Sequence, residues 1–365
     1  MPTIKEVAKR AGVSVGTASH VLNGKVPVGD LLRKRVEAAI AELDYHPSQV
    51  ARSLSIRRTH TIGIVIPDIT NPFFPRLIRG VESMVTQSGF SLLTVNTDDQ
   101  LQREQEALGL LRSRRVDGIL LVIAPGRRED AHIKRVIDGG IPIVCLDRLP
   151  ARRLALDSVT SDNLSGSRDA VRHLIAMGHQ EIAILTGPLS LKNALDRLRG
   201  YKAALAEAGI PLVQEWIREG DFRQETGQRI CQEMFLSGDR RPSALFVSNN
   251  LMAIGALEGL ALIGLHCPED FALATFDGFA FSDAFHPTLT TVIQRAFEIG
   301  AKGAEILIQR LNDALPETPV NVVLPTELRL KESTLTFPAR LDHGKAGNRF
   351  RAEPEWRQRP ASIRS

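Results

Sequence analysis

Apolar residues in the first 24 positions recur at helical spacing. Ile4, Val7, Ala8 and Ala11 share one face, and Ala18, Val21 and Leu22 share another. Thr3 and Glu6 stand in the T-x-x-E arrangement of a capping box, so the first helix begins at Ile4. Gly12 ends it, because glycine takes the left-handed conformation of a tight exit. Ser14 caps a second helix that runs out near Asn23. Two short helices sharing an apolar face across a glycine turn make a helix-turn-helix, whose second helix enters the major groove of DNA. The same spacing also suits a helix pair in any small helical domain. A third helix over 30–43 adds Leu32, Val36, Ala39, Ile40 and Leu43 to that core. It turns Arg33, Lys34 and Arg35 outward, either onto phosphates or simply into solvent.

From residue 61 the pattern changes to apolar strands alternating with amphipathic helices. Strands are expected at 61–66, 91–95, 118–122 and 143–146, with helices at 73–88 and 102–114. A second series follows, with strands at 182–186, 244–247 and 272–276 and helices at 164–177, 195–208 and 251–263. Such alternation predicts doubly wound parallel sheets. At this length they divide into two lobes, one of about 61–160 plus 290–320 and the other of about 161–289 plus 321–337.

Composition sharpens the picture at the ends. Residues 1–60 carry 10 Lys/Arg against 5 Asp/Glu, and residues 338–365 carry 7 against 3, within a chain whose net charge is +4. The middle is therefore acidic, and a basic head on an acidic body suits one nucleic-acid face. Cys145, Cys231 and Cys267 are far apart without C-x-x-C pairing, and read as small buried residues in a reducing compartment. No apolar run reaches membrane-spanning length, so a cytoplasmic protein without membrane contact is expected. The 338–365 tail, rich in Arg, Gly and Pro, reads as a disordered basic segment. Its Leu341, Phe350, Trp356 and Ile363 keep no heptad spacing, so no coiled-coil helix is expected there.

The string VSVGTASHVLN at 13–23, followed by a third helix and by YHPSQVARSL at 45–54, resembles the lactose/galactose repressor (LacI) family. The resemblance extends over residues 2–335. It implies a small all-α helix-turn-helix head (1–46), a hinge helix and linker (47–60), and an α/β two-lobed body like that of periplasmic binding proteins (61–337). Val15, Gly16 and His20 occupy the positions at which the family contacts base edges. His20 can donate to a purine acceptor, and Val15 can touch a thymine methyl. Gly16 offers no side chain; it reflects either close backbone approach or plain tolerance. Ser14, Thr17, Asn23 and Tyr45 are expected on phosphates. The 47–54 segment is too short to be a stable helix alone. On the resemblance it folds as a pair in the minor groove of a pseudo-palindromic operator, with Ala51 allowing close approach and Leu54 wedged between base pairs.

In open parallel sheets, ligands sit beyond the carboxyl ends of the strands. That rule selects Asn71, Phe73, Phe74, Asp147, Arg148, Arg197, Phe222, Asn249, Asp277 and Gln294. Carboxylates, amides and guanidinium groups pair with vicinal hydroxyls, and phenyl rings cover the apolar faces of a sugar. These positions also resemble the contacts of periplasmic ribose-binding proteins and ribose-operon repressors. Taken singly, these residues have plainer explanations: Asp147–Arg148 as a structural ion pair, an Asp after a strand as a helix cap, the phenyl rings as core. The role of Asn250, where relatives often carry Asp, is open.

The expected activity is transcriptional regulation without catalysis, cofactor or metal: a repressor of sugar-utilisation genes, relieved by ribose or a related pentose. A purine- or other-sugar-responsive regulator of the same type is the alternative, and a sugar-binding transport receptor is a weaker one. No G-x-G-x-x-G, P-loop, H-E-x-x-H or G-x-S-x-G motif occurs in an enzymatic context. Asp147 and Asp277 could mimic a glycosidase pair, but Arg148 and Arg197 are expected to keep both ionised, which removes the acid.

Overall fold

In the head, the computed structural model places α1 (Ile4–Ala11), α2 (Val15–Asn23) and α3 (Asp30–Glu42). The structure describes residues 2–23, 28–45, 58–126, 131–150, 155–237, 240–278 and 286–335. The capping box forms as expected: Glu6 N–H donates to Thr3 Oγ1, and Thr3 N–H donates to Glu6 Oε2 at 2.6 Å. Gly12 closes α1 with φ 63°. Thr17 N–H donates to Ser14 Oγ at 3.0 Å, capping α2. Val7, Ala8, Ala11, Ala18, Val36 and Ala39 form the buried core. Leu32, expected in that core, stays outside it and is only half-buried. Of the three outward cations, Arg35 donates to the Gly12 carbonyl at 3.3 Å and so braces the turn.

The body begins before the expected first strand. Residues 58–60, expected within the linker, already dock: Thr59 N–H donates to Asp117 Oδ1 at 3.0 Å, and the His60 ring lies 5.4 Å from that of Phe90. The first lobe contains β1 (Thr61–Ile66), α4 (Phe73–Gln87), β2 (Ser91–Asn96), α5 (Leu101–Ser113), β3 (Gly118–Leu121), α6 (Ala131–Asp138), β4 (Ile143–Leu146) and β5 (Asp157–Ser161). The second contains α7 (Asn163–Ala176), β6 (Ile182–Thr186), α8 (Lys192–Glu207), β7 (Ile217–Glu219), α9 (Gln224–Leu236), β8 (Ala244–Val247), α10 (Asn250–Leu262), β9 (Ala272–Phe276) and β10 (Thr290–Ile293). Then α11 (Ala296–Leu311) and β11 (Asn321–Leu324) return to the first lobe, and β12 (Glu327–Arg329) joins the second.

The two sheets repeat one plan, β11-β5-β4-β3-β1-β2 and β12-β10-β9-β8-β6-β7. The pairings are parallel except β10 with β12. The central strands are buried along their whole length because helices cover both sheet faces, which is why they read as unbroken apolar runs. The chain reverses direction across the sheet between β1 and β3, and again between β6 and β8, and the crevice at such a switch point is where ligands bind.

Two expected crossings shift. Strand β10 pairs with β9, so the second crossing follows residue 293 rather than 290, and β11 pairs with β5, so the third follows 324 rather than 320. Helices α6, α9 and α11 were not expected at all. Helix α11 packs on α4 through glycines: a Cβ on Gly80 would lie 2.0 Å from the Phe297 carbonyl oxygen, and one on Gly300 would lie 2.0 Å from that of Leu77. The three cysteines are free and buried.

Candidate effector cleft and DNA-reading face

Three turns aim the cleft. Asp147 follows β4, Phe222 follows β7 and Asp277 follows β9, with φ of 58°, 69° and 65°. A left-handed backbone is costly for a residue such as phenylalanine and gathers at functional sites. Here all three residues line one cavity, together with Asn71, Phe73, Phe74, Arg148, Arg197 and Asn249. Nine of the ten expected effector residues therefore meet. Gln294 adjoins them by donating Nε2–H to Asp277 Oδ1 at 2.7 Å. The space within this ring of side chains is narrow, about 20 Å³.

The cations are fixed in place. Arg197, 2% exposed, donates from Nε to Asn163 Oδ1 at 2.8 Å and from Nη1 to the Ser248 carbonyl at 2.5 Å. Its guanidinium lies 3.7 Å from the centre of the Phe276 ring. Arg148 pairs with Asp99 at 2.5 Å, whereas its separation from Asp147 is 3.8 Å. The simple Asp147–Arg148 pair is thus the weaker contact. Arg148 also lies over the rings of Phe222 and Phe74, at 4.9 and 5.6 Å. Phe73 and Phe74 meet edge to face, 5.2 Å apart.

The carboxyl groups depart from expectation. Burial raises Asp277 to about 6 despite the opposing charge of Arg197. Burial also raises Asp147, against Arg197 and Arg148. The arginines, expected to keep both carboxyls ionised, oppose these shifts, but desolvation outweighs them. Asp277 remains mostly ionised at neutral pH. Among the described residues, the buried oxygens Asp147 Oδ1 and Gln294 Oε1 have no hydrogen-bond partner. A buried acceptor left unpaired costs roughly 1–3 kcal/mol, so a ligand that donates to it is favoured.

Asn249 serves two purposes within the protein. Its Oδ1 caps α10 by accepting from Met252 N–H at 3.1 Å, and its Nδ2 donates to the Phe222 carbonyl at 2.8 Å. Asn250 faces the other lobe. Its Nδ2 donates to Asn71 Oδ1 at 3.1 Å, and Asn71 Nδ2 donates back to Asn250 Oδ1 at 3.2 Å. Both side chains are buried, so this reciprocal amide pair holds the two lobes together. Arg223 adds a second tie by donating to the Asp98 carbonyl at 2.7 Å. Sequence reasoning missed Asn193, which also lines the cavity. Its position one helical turn before Arg197 was the available signal.

On the head, Val15 is 43% exposed, and Gly16 and His20 are exposed beside it while Ala18 is buried. A Cβ on Gly16 would meet only Ser14 Oγ, at 3.7 Å, so nothing inside the head requires glycine there. The Ser14 hydroxyl contacts that of Thr17 at 2.9 Å. Tyr45 packs partly buried against the head core. The Asn23 side chain, Ala51, Leu54 and the 338–365 tail lie outside the described residues. Among the described residues no helix is long and apolar enough to cross a membrane, and no His/Cys/Asp/Glu cluster could hold a metal.

A helical head with one exposed recognition face, joined to a two-lobed body closing on a small polar cavity, defines a ligand-responsive DNA-binding protein. The chain belongs to the LacI family of bacterial regulatory proteins. Residues 3–48 match the family's N-terminal regulatory domain, and residues 59–332 match periplasmic binding proteins and the sugar-binding domain of the LacI family. The chain is 38% identical over 311 residues to the ribose operon repressor of Escherichia coli K12, covering 85% of this chain and 93% of that one. It is 37% identical over 327 residues to the HTH-type transcriptional repressor PurR of Erwinia tasmaniensis, covering 89% and 95%. A similar solved structure is the lac repressor dimer bound to operator and the anti-inducer ONPF, with a TM-score of 0.80 and 29% identity over 92% of this chain and 99% of that one. The protein is thus a DNA-binding transcriptional repressor of LacI type with a ligand-binding body, and these relatives are repressors rather than enzymes.

Proposed function

We propose that this repressor controls sugar-utilisation genes in the cytoplasm and is relieved by ribose or a closely related pentose bound between its lobes. The observation that carries the reading is the pair of unpartnered buried acceptors, Asp147 Oδ1 and Gln294 Oε1, in a narrow cavity walled by Phe73, Phe74 and Phe222. Hydroxyl donors satisfy such oxygens, and the rings cover the apolar faces of a single sugar ring. Asp99, Asp147 and Asp277 already match Arg148 and Arg197, so no spare cation favours a phosphorylated effector. The likeness to the ribose operon repressor supports the same choice. The similarity to PurR, together with the three rings, keeps a purine as the second reading.

In this reading the head (1–46) and hinge helix (47–54) bind DNA as a homodimer, one half-site per protomer. Val15, Gly16 and His20 read bases, Ser14, Thr17, Asn23 and Tyr45 hold phosphates, and Ala51 and Leu54 enter the minor groove. The ligand acts through its preference for the closed lobes, since it shifts an equilibrium only by its differential affinity for the two states. Fluorescence anisotropy on palindromic operator candidates at two salt concentrations, with and without ribose, tests the reading. Steep salt dependence and weakened binding with ribose are expected; binding indifferent to ribose would remove the pentose assignment.

A further inference from the structure

A second, larger cavity of about 880 Å³ lies at the edge of the body where the chain crosses between lobes. One wall comes from the first lobe, through Ser158 and Thr160 of β5 and Asn321 and Val323 of β11; the facing wall is the start of α8 in the second lobe. Asp147 and Asn193 line both this groove and the effector cleft, so they form a wall common to the two. The volume falls within the roughly 300–1,000 Å³ of small-molecule sites.

We infer that this groove is a second ligand site, which takes a neutral disaccharide and bridges the two lobes. Three observations carry the assignment. First, Ser161 lines the groove, is 4% exposed, and among the described residues its hydroxyl has no hydrogen-bond partner. A buried hydroxyl of this kind is a ready partner for a ligand hydroxyl. Second, among the described residues the cations lining the groove, Lys192 and Arg199, are matched within the protein. Asp196 pairs with Lys192 and with Arg199, the latter at 3.1 Å, and Asp162 caps α7 by accepting from Ser165 N–H at 3.0 Å. Among the described residues that leaves a lining of hydroxyls, amides, the carboxylates Asp147 and Asp162, and apolar patches such as Leu164 and Val323, which suits a neutral polyol whose hydroxyls donate. Third, the groove is long. Asn193 to Arg199 spans about 9 Å of helix, and Ser158 to Ser161 spans about 10 Å of strand, enough for two linked sugar rings.

A molecule seated there touches both lobes beside the crossings and presses on the wall of the effector cleft. It therefore biases closure, and through closure the affinity of the primary effector. The site does not depend on which monosaccharide or base fills the cleft.

The test is calorimetric titration of the full-length protein with maltose, sucrose and trehalose, using wild type, Val323→Trp and Asp277→Asn, the last altering the effector cleft at a residue that does not line the groove. Val323 is 62% exposed, so tryptophan there fills the groove without disturbing the core. Expected are saturable binding of at least one disaccharide, retention of that binding in Asp277→Asn, and a loss of about tenfold or more in Val323→Trp, about 1.4 kcal/mol. Ser161→Ala, which keeps the fold and removes only the free hydroxyl, should weaken binding in the same direction. Binding lost in Asp277→Asn and kept in Val323→Trp would place the disaccharide in the effector cleft and overturn the inference. So would the absence of binding by all three sugars at millimolar concentration.

Discussion

Replacing Asn250 with alanine removes the second-lobe half of the amide pair with Asn71. In the closed form two hydrogen bonds disappear, of 3.1 and 3.2 Å. Asn71 Oδ1 keeps its bond from Phe73 N–H at 3.1 Å, but its Nδ2 loses its partner in a buried position. Each ordinary hydrogen bond contributes about 1 kcal/mol net, and a stranded buried donor costs about 1–3 kcal/mol, so closure becomes less favourable by about 2 kcal/mol. At 1.4 kcal/mol per decade that weakens effector binding by up to roughly 30-fold. The full effect requires an open form that dominates without ligand, because a ligand then has to supply the closure free energy. Asn250→Asp keeps an acceptor for Asn71 Nδ2 and loses only the return donor, so its loss should be smaller. Calorimetric titration of the three proteins measures the affinities, and small-angle scattering reports lobe closure on ligand addition. If Asn250→Ala binds within twofold of wild type and closes normally, the amide pair does not hold the lobes and the reasoning fails.

Other expectations follow from the same structure. Because burial raises Asp277 to about 6, effector affinity should fall as pH drops through 6, by about tenfold at pH 5 if the carboxylate accepts a ligand hydroxyl; a flat profile would exclude that role. The folded ligand-free protein binds this proton more tightly than the unfolded chain, so Asp277 favours stability below about pH 4 and loses that contribution between pH 4 and 6. Asp277→Asn should consequently raise the melting temperature at pH 7, by up to about 3 kcal/mol of stability, while abolishing effector binding. Gly16→Ala meets no clash inside the head and should stabilise α2 by about 1 kcal/mol; a simultaneous loss of operator affinity, measured by anisotropy, would show that the backbone approaches DNA there. His20→Ala should cost about 1–3 kcal/mol on the preferred operator and relax selection at one base position, which a binding-site selection experiment reads directly.

Much of the architecture was legible because two periodicities are strong. The head's apolar faces, capping box and turn glycine are local features, and the buried strands are continuous apolar runs. What escaped notice was partly short: α6 is clearly amphipathic, with Ile133 and Val136 buried, but spans only Ala131–Asp138. Helix α11 packs against α4 by backbone approach at Gly80 and Gly300, so much of its buried face is Gly and Ala rather than large apolar residues. Strands β11 and β12 are short edge strands with alternating exposure, and they moved the expected lobe crossings by a few residues. At the cleft, the strand-end rule collected most of the lining, since it depends on topology alone. It could not foresee that Asn250 reaches Asn71 across 179 residues of chain, which only lobe closure brings about. Nor could it weigh desolvation against Arg197, because burial depends on how completely the lobes shut over Asp147 and Asp277.

The most direct test of the account is calorimetric titration of the full-length protein with ribose, run beside guanine and repeated with Arg197→Ala. The account predicts saturable ribose binding with one site per protomer, lost when the buried guanidinium that neighbours both carboxyls is removed. Binding of guanine with ribose silent, or ribose binding that survives Arg197→Ala, would contradict it.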